Sequence, residues 1–408
     1  MRGQSPGRGG RASLVLRAMR RPFLLFYALV FLDEVALLSL VPLLPSYTRA
    51  YHLSDVRAGA LLSSASLAIV VASVPAGRLS DRFGARVVTL VAGGIAAASM
   101  FGTALAPGFA TLLAARAAFG VGSGTIWSAG ISWLSDSAAE ESRDRTLAMV
   151  ITVAGIGSMV GPVFAGLLAD RVGRGSVFAV AGVLMTGVVF ALALGDPGHR
   201  RRHGHQPLRE IAAGMRTEPL LAGAVAIMLL GGVGDGVVNL VAPLQLGHLG
   251  LSSSAIGAWF SVASTIFIAS SAVIARMGRR AVSLRLAGVM AALQAVALVP
   301  VLASGAAAPV IAMVLARSVC VAPPYAMAFP LGALGASRLG FGTGTVNGLM
   351  GVVWGGANFA GPLIAGVVIA GPGDRAAYAL LAAFSLLLGV MLVRAGRREA
   401  SAGAAAAS

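Results

Sequence analysis

The sequence predicts an all-α membrane protein with about twelve transmembrane helices in two pseudo-symmetric six-helix halves. Its composition excludes a water-soluble domain, because 57% of the 408 residues are hydrophobic and 11% are charged, with a mean hydropathy of +0.86. Soluble domains carry about 25% charged residues. Charged residues punctuate the chain and leave apolar stretches of roughly 20 residues, the length that crosses a bilayer. Features of the first half recur in the second half at an offset of about 200 residues.

The predicted spans follow one another with short polar connections. In the first half they cover 22–45, 58–77, 87–106, 110–134, 146–169 and 175–195. In the second half they cover 219–245, 254–275, 284–304, 308–334, 341–371 and 376–393. The chain is thereby divided into an Arg-rich tail, a six-helix bundle, a linker, a second six-helix bundle and a tail, over 1–21, 22–195, 196–218, 219–393 and 394–408.

The distribution of Arg predicts the orientation. If the N-terminus is cytoplasmic, 24 of the 31 basic residues lie in cytoplasmic segments and five lie on the opposite side. Short cytoplasmic loops of membrane proteins carry an excess of Lys and Arg. We therefore expect a multi-pass protein of the plasma or inner cell membrane, with both termini and the linker in the cytoplasm.

The positive charge does not indicate nucleic acid. A net charge of +16 would do so in a soluble protein, but here the Arg residues lie in short loops, so the expected partner is the lipid bilayer. The linker histidines His199, His203 and His205 alternate with Arg, whose fixed charge repels a cation, and no metal site is predicted. The single Cys320 excludes a disulfide framework.

The two halves share residues at corresponding places, which indicates an internal repeat. Two parallel six-span repeats place a substrate cavity between the halves, near the membrane midplane. The matching pairs are Gly59 with Gly257, Ser63 with Ser261, Arg116 with Arg317, Gly161-Pro162 with Gly361-Pro362, and Asp33 with Asp235.

The loop after the second span, from Gly77 to Arg86, resembles the signature loop of the major facilitator superfamily. The resemblance rests on two glycines, an acid and basic residues at the family's spacing, namely Gly77, Asp81, Arg82, Gly84 and Arg86. Glycines permit a tight turn, and we expect Asp81 to meet a helix N-terminus or an Arg across the interface between the halves. The alternative is a solvated loop that only follows the charge rule for orientation.

The fifth span resembles the motif of the superfamily's drug:proton antiporters. It carries Gly157, Gly161, Pro162 and Gly166, and it departs from the family pattern at Ala165. Pro removes a helix hydrogen bond and glycines allow close packing, so this helix can bend against a neighbour. The motif favours export, and Gly361 with Pro362 repeats part of it in the second half. An ordinary packing seam is the alternative.

Ionisable residues in the middle of spans are the strongest candidates for function, since a charge in the hydrocarbon costs about 2.5–3.5 kcal/mol. Asp33 and Glu34 are adjacent in the first span, and helix positions one apart differ by about 100°, so one can line the cavity while the other faces a neighbouring helix. Arg116 in the fourth span should face the interior and pair. Asp235, followed by Asn239, adds a third acid in the seventh span. A buried structural contact is the alternative for each.

The first span is also similar to that of the vesicular amine transporter branch of the drug:proton antiporters. In that branch the acid that matches Asp33 contacts the protonated amine of the substrate, and the resemblance implies the same here. Trp127, Trp354 and Asn358 lie deep enough in their spans to line a cavity, although packing is an equal alternative.

These observations predict a monomeric, proton-coupled exporter of small lipophilic or cationic compounds, which needs no cofactor. A nucleotide-driven mechanism is disfavoured because the chain has no Lys and no phosphate loop. An uptake or efflux transporter for a sugar or metabolite on the same fold is the first alternative. A membrane enzyme or a non-transporting receptor is less favoured, because the longest interior loop has 23 residues.

Overall fold

The computed structural model describes residues 8–138, 140–195, 217–278, 282–341 and 343–407; within these ranges the side chains of 8–20, 74, 144, 343–347 and 402–407 are not described. The described residues form helices joined by short turns, with no strand among them. Helices are the expected structure for such an apolar chain, because each satisfies its own backbone hydrogen bonds in lipid.

The first six spans agree with the predicted order. Span 1 consists of two helices, Arg8–Leu38 and Leu40–Tyr51. Span 4 consists of Phe109–Thr125, a π-helical turn Ile126–Gly130 and Ile131–Ser137, before a short 3-10 turn Glu140–Ser142. Spans 2, 3, 5 and 6 are Asp55–Phe83, Ala85–Ala104, Arg143–Val172 and Arg174–Ala193.

The last six spans follow in the same way. Span 9 consists of two helices, Leu284–Ala297 and Val299–Ala303. Spans 7, 8, 10, 11 and 12 are Pro219–His248, Ser253–Met277, Ala307–Arg338, Thr343–Ala370 and Asp374–Ala407. Over the described ranges, eleven helices are long and apolar enough to cross a membrane, and the bent pair of span 1 makes twelve. The predicted fold class is thereby confirmed.

Span 1 breaks near its middle. Its two helices meet at an angle of 41° at Ser39. Pro42 follows three residues later; it has no N–H to donate to the carbonyl of Leu38, and its ring crowds that carbonyl. The hydroxyl of Ser39 donates to the carbonyl of Val35 at 2.6 Å, and the same carbonyl accepts the Ser39 amide at 3.0 Å.

We call the end of the bundle at which span 1 begins and span 12 ends the terminal face, and the other end the far face. Near the far face the two halves touch along two related seams. In the 2–11 seam, Gly59 of span 2 lies against the carbonyl of Pro362 in span 11, and the Ser63 hydroxyl donates to the carbonyl of Phe359 at 2.7 Å. A Cβ atom on Gly366 would lie 2.7 Å from the carbonyl oxygen of Asp55.

The 5–8 seam is its counterpart. Gly257 of span 8 lies against the carbonyl of Pro162 in span 5, and the Val163 amide donates to the Ser261 hydroxyl at 3.0 Å. Gly166 lies against the backbone of Ser253. The glycines, serines and prolines that match between the halves therefore meet across the interface between them.

The orientation prediction is testable by labelling. On a Cys320→Ala background, His203→Cys in the linker, outside the described residues, should resist an impermeant thiol reagent in intact cells. Thr48 also lies near the far face, but its hydroxyl is buried, so the second position is the exposed Ala50→Cys, where we expect strong labelling. Labelling of position 203 but not of position 50 would show that the orientation is the reverse of the predicted one.

Candidate functional site

Asp33 is buried in the middle of span 1 and is held by span 4. Its side chain is 0% exposed. Its Oδ2 atom accepts hydrogen bonds from the Ser123 hydroxyl at 2.8 Å and from the indole N–H of Trp127 at 3.0 Å. Its Oδ1 atom is buried and has no partner among the described residues. Half of this carboxylate is therefore satisfied and half is not.

Ser123 and Trp127 reach Asp33 together because they lie four residues apart, one turn along span 4. The π-helical turn begins at Ile126, directly before Trp127. Turns of this kind widen the helix and are frequent at functional sites. Ser123 was not predicted as a site residue. The sequence signal for it was its spacing of four residues from Trp127, which places both on one face of span 4.

Glu34 points in a different direction, as the 100° rotation requires. It is half-buried, and a Cβ atom on Gly157 of span 5 would lie 2.8 Å from the Cβ of Glu34. The adjacent acids of span 1 thus face two different helices, span 4 for Asp33 and span 5 for Glu34.

Arg116 faces the interior as expected but does not form the expected ion pair. It is 1% exposed, and among described residues its Nη1 donates to the carbonyl of Ala36 at 3.4 Å, one turn after Asp33. Its guanidinium lies over the rings of Phe119 and Phe178, at 4.7 and 5.8 Å from their centroids. A cation is attracted to the face of an aromatic ring, so these rings take the place of a carboxylate partner.

The second half carries the ion pair instead. The Arg317 Nη2 atom lies 2.8 Å from the Asp235 Oδ1 atom, and the Tyr325 hydroxyl donates to Asp235 Oδ2 at 3.1 Å. The indole N–H of Trp354 donates to the Tyr325 hydroxyl at 2.8 Å. Spans 7, 10 and 11 are therefore joined by one polar chain, in which both oxygens of Asp235 are satisfied.

Arg317 and Tyr325 were not among the predicted site residues. The repeat that pairs Arg116 with Arg317 could have indicated the first, whereas Tyr325 had no signal beyond its position within a span. Asn239 is half-buried, one turn after Asp235. The Nδ2 atom of Asn358 is buried without a partner among the described residues.

The glycine and proline motif of span 5 has two faces. Gly157 and Gly161 lie against span 1, where a Cβ atom on Gly161 would be 3.0 Å from the carbonyl oxygen of Val35. Pro162 and Gly166 form the 5–8 seam described above. On both faces a glycine without a side chain lies against the backbone of the neighbouring helix. Small residues of this kind allow membrane helices to approach each other closely.

Span 11 repeats the arrangement. A Cβ atom on Gly361 would be 2.7 Å from the carbonyl oxygen of Val233 in span 7, and Pro362 lies against both Gly236 and the 2–11 seam. The predicted glycine and proline residues therefore connect the acid-bearing spans 1 and 7 to the interface between the halves.

The loop after span 2 differs from the predicted turn. Gly77 lies inside the helix Asp55–Phe83, and the turn is made by Gly84 alone, with φ of 91°, a conformation that L side chains rarely adopt. Arg82 lies over the ring of Phe83 at 5.2 Å. The Arg86 Nη2 atom donates to the carbonyls of Leu192 at 2.7 Å and Gly195 at 2.6 Å, and so binds the end of span 6.

We expect Asp81→Asn to slow turnover far more than it weakens substrate binding. Asp81 lies at the terminal face, away from the mid-span acids, and its predicted role is to stabilise one closed state against the 340–345 start of span 11. Residue 342 and the side chains of 343–347 are not described, so the contact stays a prediction. Transport rate and substrate affinity measured together test it, with Glu140→Gln as the control. Normal turnover, or a defect mainly in affinity, would contradict it.

Comparison with known proteins agrees with the twelve-span fold. A family model described as Major Facilitator Superfamily matches residues 23–354. The vesicular acetylcholine transporter of Rattus norvegicus is 32% identical over 145 residues, which cover 35% of this chain and 27% of the relative. The uncharacterized MFS-type transporter YybF of Bacillus subtilis is 24% identical over 257 residues, which cover 62% of this chain and 64% of the relative. These matches span from about a quarter to just under two thirds of the relatives' lengths.

Solved structures share the fold over almost the whole chain. A bacterial homolog of the human lysosomal transporter Spinster, in an inward-facing and unoccupied conformation, has a TM-score of 0.71 at 17% identity and covers 93% of this chain and 96% of its own. A POT family transporter in complex with 5-aminolevulinic acid has a TM-score of 0.73 at 14% identity, with coverage of 93% and 96%. At these identities the likeness concerns the fold alone.

Proposed function

The chain belongs to the major facilitator superfamily of secondary transporters, and from that premise we propose that it exports small lipophilic cations in exchange for protons. The observation that carries the proposal is the half-satisfied carboxylate of Asp33. The proposal places the protein in the cell membrane with both termini in the cytoplasm, so that the terminal face is the cytoplasmic face.

Alternating access supplies the path. Near the far face the halves are in contact along the 2–11 and 5–8 seams. In the proposed cycle these seams part while the terminal face closes, by rocking of one half against the other around a site near the midplane. Such a movement needs no nucleotide, because the proton gradient drives it.

Asp33 is suited to bind a cation. Its Oδ1 atom has no partner among the described residues, and a buried carboxylate oxygen without a partner is costly. A protonated amine or a proton would satisfy it. The indole of Trp127, which already donates to Oδ2, offers an aromatic surface to a lipophilic cation.

Coupling follows from competition for the same oxygen. Burial disfavours the charged form of a carboxylate, so Asp33 holds either a proton or a cationic substrate, and binding of one releases the other. The guanidinium of Arg116, held one helical turn away at the carbonyl of Ala36, favours the anion. It therefore helps the proton to leave.

The other two acids are assigned different roles. Asp235 has both oxygens occupied, by Arg317 and by Tyr325, so we assign it to joining spans 7 and 10. Glu34 is half-buried against Gly157 of span 5, so we assign it to sensing the movement of that span, with a weaker effect on coupling.

Two likenesses support export of a cation. The span-five motif resembles that of drug:proton antiporters, and the name of one relative identifies acetylcholine as the molecule that the relative transports. Neither specifies the substrate of this chain.

The experiment uses purified protein in liposomes with an imposed pH gradient. A panel of lipophilic cations, neutral compounds and sugars is presented, and substrate movement is recorded together with proton flux. We expect cations to move against their gradient with a proton flux in the opposite direction. An uncoupler, which dissipates the pH gradient, should abolish the uphill movement. Uphill movement of a sugar with protons in the same direction would favour the symporter alternative. Empty liposomes are the control.

A further inference from the structure

A groove runs along the outer surface of the bundle between spans 9 and 12, away from the mid-span acids. Its volume is about 440 Å³. Its walls are apolar, and five of the lining side chains are exposed: Val289, Leu293, Val296, Leu386 and Val390. Its floor includes Gly389, where the backbones of the two helices approach so closely that a Cβ atom would lie 2.8 Å from the Gly288 carbonyl oxygen. Gly389 thus forms part of the floor of the groove, and the larger side chains form its walls.

Arg394 and Arg397 line the terminal-face end of this groove. Both are exposed, and among the described residues neither takes part in an ion pair. Arg285 of span 9 adds a third exposed cation beside them, because a Cβ atom on Gly396 would lie 2.8 Å from the Cγ of Arg285. The apolar groove therefore ends in a cluster of positive charge.

The nearby acid does not neutralise this cluster. Glu399 is bound by Arg338 of span 10 at 3.0 Å, and Arg338 also binds Glu218 at 3.1 Å. Span 12 is thus fixed to spans 7 and 10 on its other side. The guanidinium groups of Arg394 and Arg397 remain available for an anion from the membrane.

The dimensions fit one leaflet of a bilayer. Leu386 and Arg397 are separated by eleven residues of one helix, a rise of about 16 Å. Half the hydrocarbon thickness of a bilayer is about 15 Å. With Leu386 near the midplane, Arg394 and Arg397 lie at the level of the lipid headgroups, where basic residues attract anionic lipids.

We propose that the groove between spans 9 and 12 is a binding site for an anionic phospholipid, with one acyl chain in the groove and the phosphate on Arg394 and Arg397. The positive cluster favours an anionic lipid over a zwitterionic lipid, whose headgroup carries a positive charge of its own. The apolar groove favours a lipid over a free phosphate, which would contact the arginines alone. The proposal does not depend on the transported substrate.

Binding of lipid to the delipidated, purified full-length protein tests the proposal. Native mass spectrometry is performed with dioleoyl phosphatidylglycerol and with dioleoyl phosphatidylcholine. We expect one saturable site for phosphatidylglycerol, bound at least tenfold more tightly than phosphatidylcholine. Inorganic phosphate at millimolar concentration should not displace the bound lipid.

Two kinds of variant separate the parts of the site. Arg394→Gln with Arg397→Gln removes the charge, and Val390→Trp fills the groove without changing charge; each should weaken phosphatidylglycerol binding at least tenfold. The matched control is Arg145→Gln with Arg276→Gln, two exposed cations on other helices, which should bind normally. A thermal melt of each variant checks the fold.

Three results would overturn the proposal. Unchanged binding in the Arg394→Gln and Arg397→Gln variant would exclude the cluster, and equal binding of the two lipids would indicate an ordinary lipid contact. Unchanged binding in Val390→Trp, together with displacement by phosphate, would reduce the site to a surface anion site.

Discussion

Replacing Asp33 with Asn is expected to abolish uphill, proton-driven export while the protein still folds. The amide can keep its oxygen on Ser123 and Trp127, the donors that now bind Oδ2, and place its NH₂ group at the position of the unpartnered Oδ1. Volume and both hydrogen bonds are thereby retained, whereas the titratable charge is lost. Substrate accumulation should fall to the level of wild-type protein treated with an uncoupler.

The measurement is the steady-state substrate ratio across proteoliposomes with an imposed pH gradient, together with a thermal melt. Glu34→Gln is the matched control, because it changes the adjacent acid, which faces span 5, and we expect a milder defect. If Asp33→Asn retains full uphill export while Glu34→Gln abolishes it, the roles are reversed. If neither variant matters, coupling passes through Asp235 or through no mid-span carboxylate.

Replacing Gly257 with Val is expected to open the far face and to stop the transport cycle. Gly257 packs on the backbone carbonyl of Pro162, and a backbone cannot move aside as a flexible side chain does. Overpacking of this kind costs about 1–3 kcal/mol, which shifts a two-state equilibrium by about 5- to 150-fold. The ratio of molecules closed at the far face to molecules open there should fall by that factor.

Spin labels at two exposed far-face positions, Val172→Cys at the end of span 5 and Leu249→Cys in the turn between spans 7 and 8, report the change on a Cys320→Ala background. The distance distribution should move to longer values, and the transport rate should fall at least tenfold. Gly94→Val is the control, since nothing lies within 4 Å of a Cβ atom there. A normal distance distribution in Gly257→Val with normal transport would show that the seam is not part of the cycle.

The order of the spans was predictable because the membrane imposes it. A helix that crosses the hydrocarbon needs about 20 apolar residues, and charges can interrupt the chain only where it leaves the lipid. The sequence also showed that Gly59 matches Gly257 and that Pro162 matches Pro362. Glycine allows two helices to approach closely, and proline removes a helix hydrogen bond, so both residue types indicate a close helix contact. What the sequence did not show was that each glycine packs on the proline of the other half, Gly59 on Pro362 and Gly257 on Pro162.

The partners of the mid-span charges were less predictable. Arg116 and Arg317 occupy equivalent places, yet only Arg317 pairs with its acid. The residue before the acid also differs between the halves. Gly234 precedes Asp235, and its missing side chain leaves room for the Arg317 guanidinium, whose Nη2 would lie 2.6 Å from a Cβ there; Leu32 precedes Asp33. A contact of this kind depends on three helices at once.

The unpartnered oxygen of Asp33 has an electrical consequence for the proposed cycle. Oδ1 is one buried carboxylate oxygen without a partner among the described residues, so the proposed site takes one cation at a time. Exchange of one proton for one monovalent cation at that oxygen would carry no net charge across the bilayer. A membrane voltage, which acts on each transferred charge with about 2.3 kcal/mol per 100 mV, then does no work on the cycle. Export of a monovalent cation should follow the pH gradient and remain unchanged when a potassium ionophore sets the voltage.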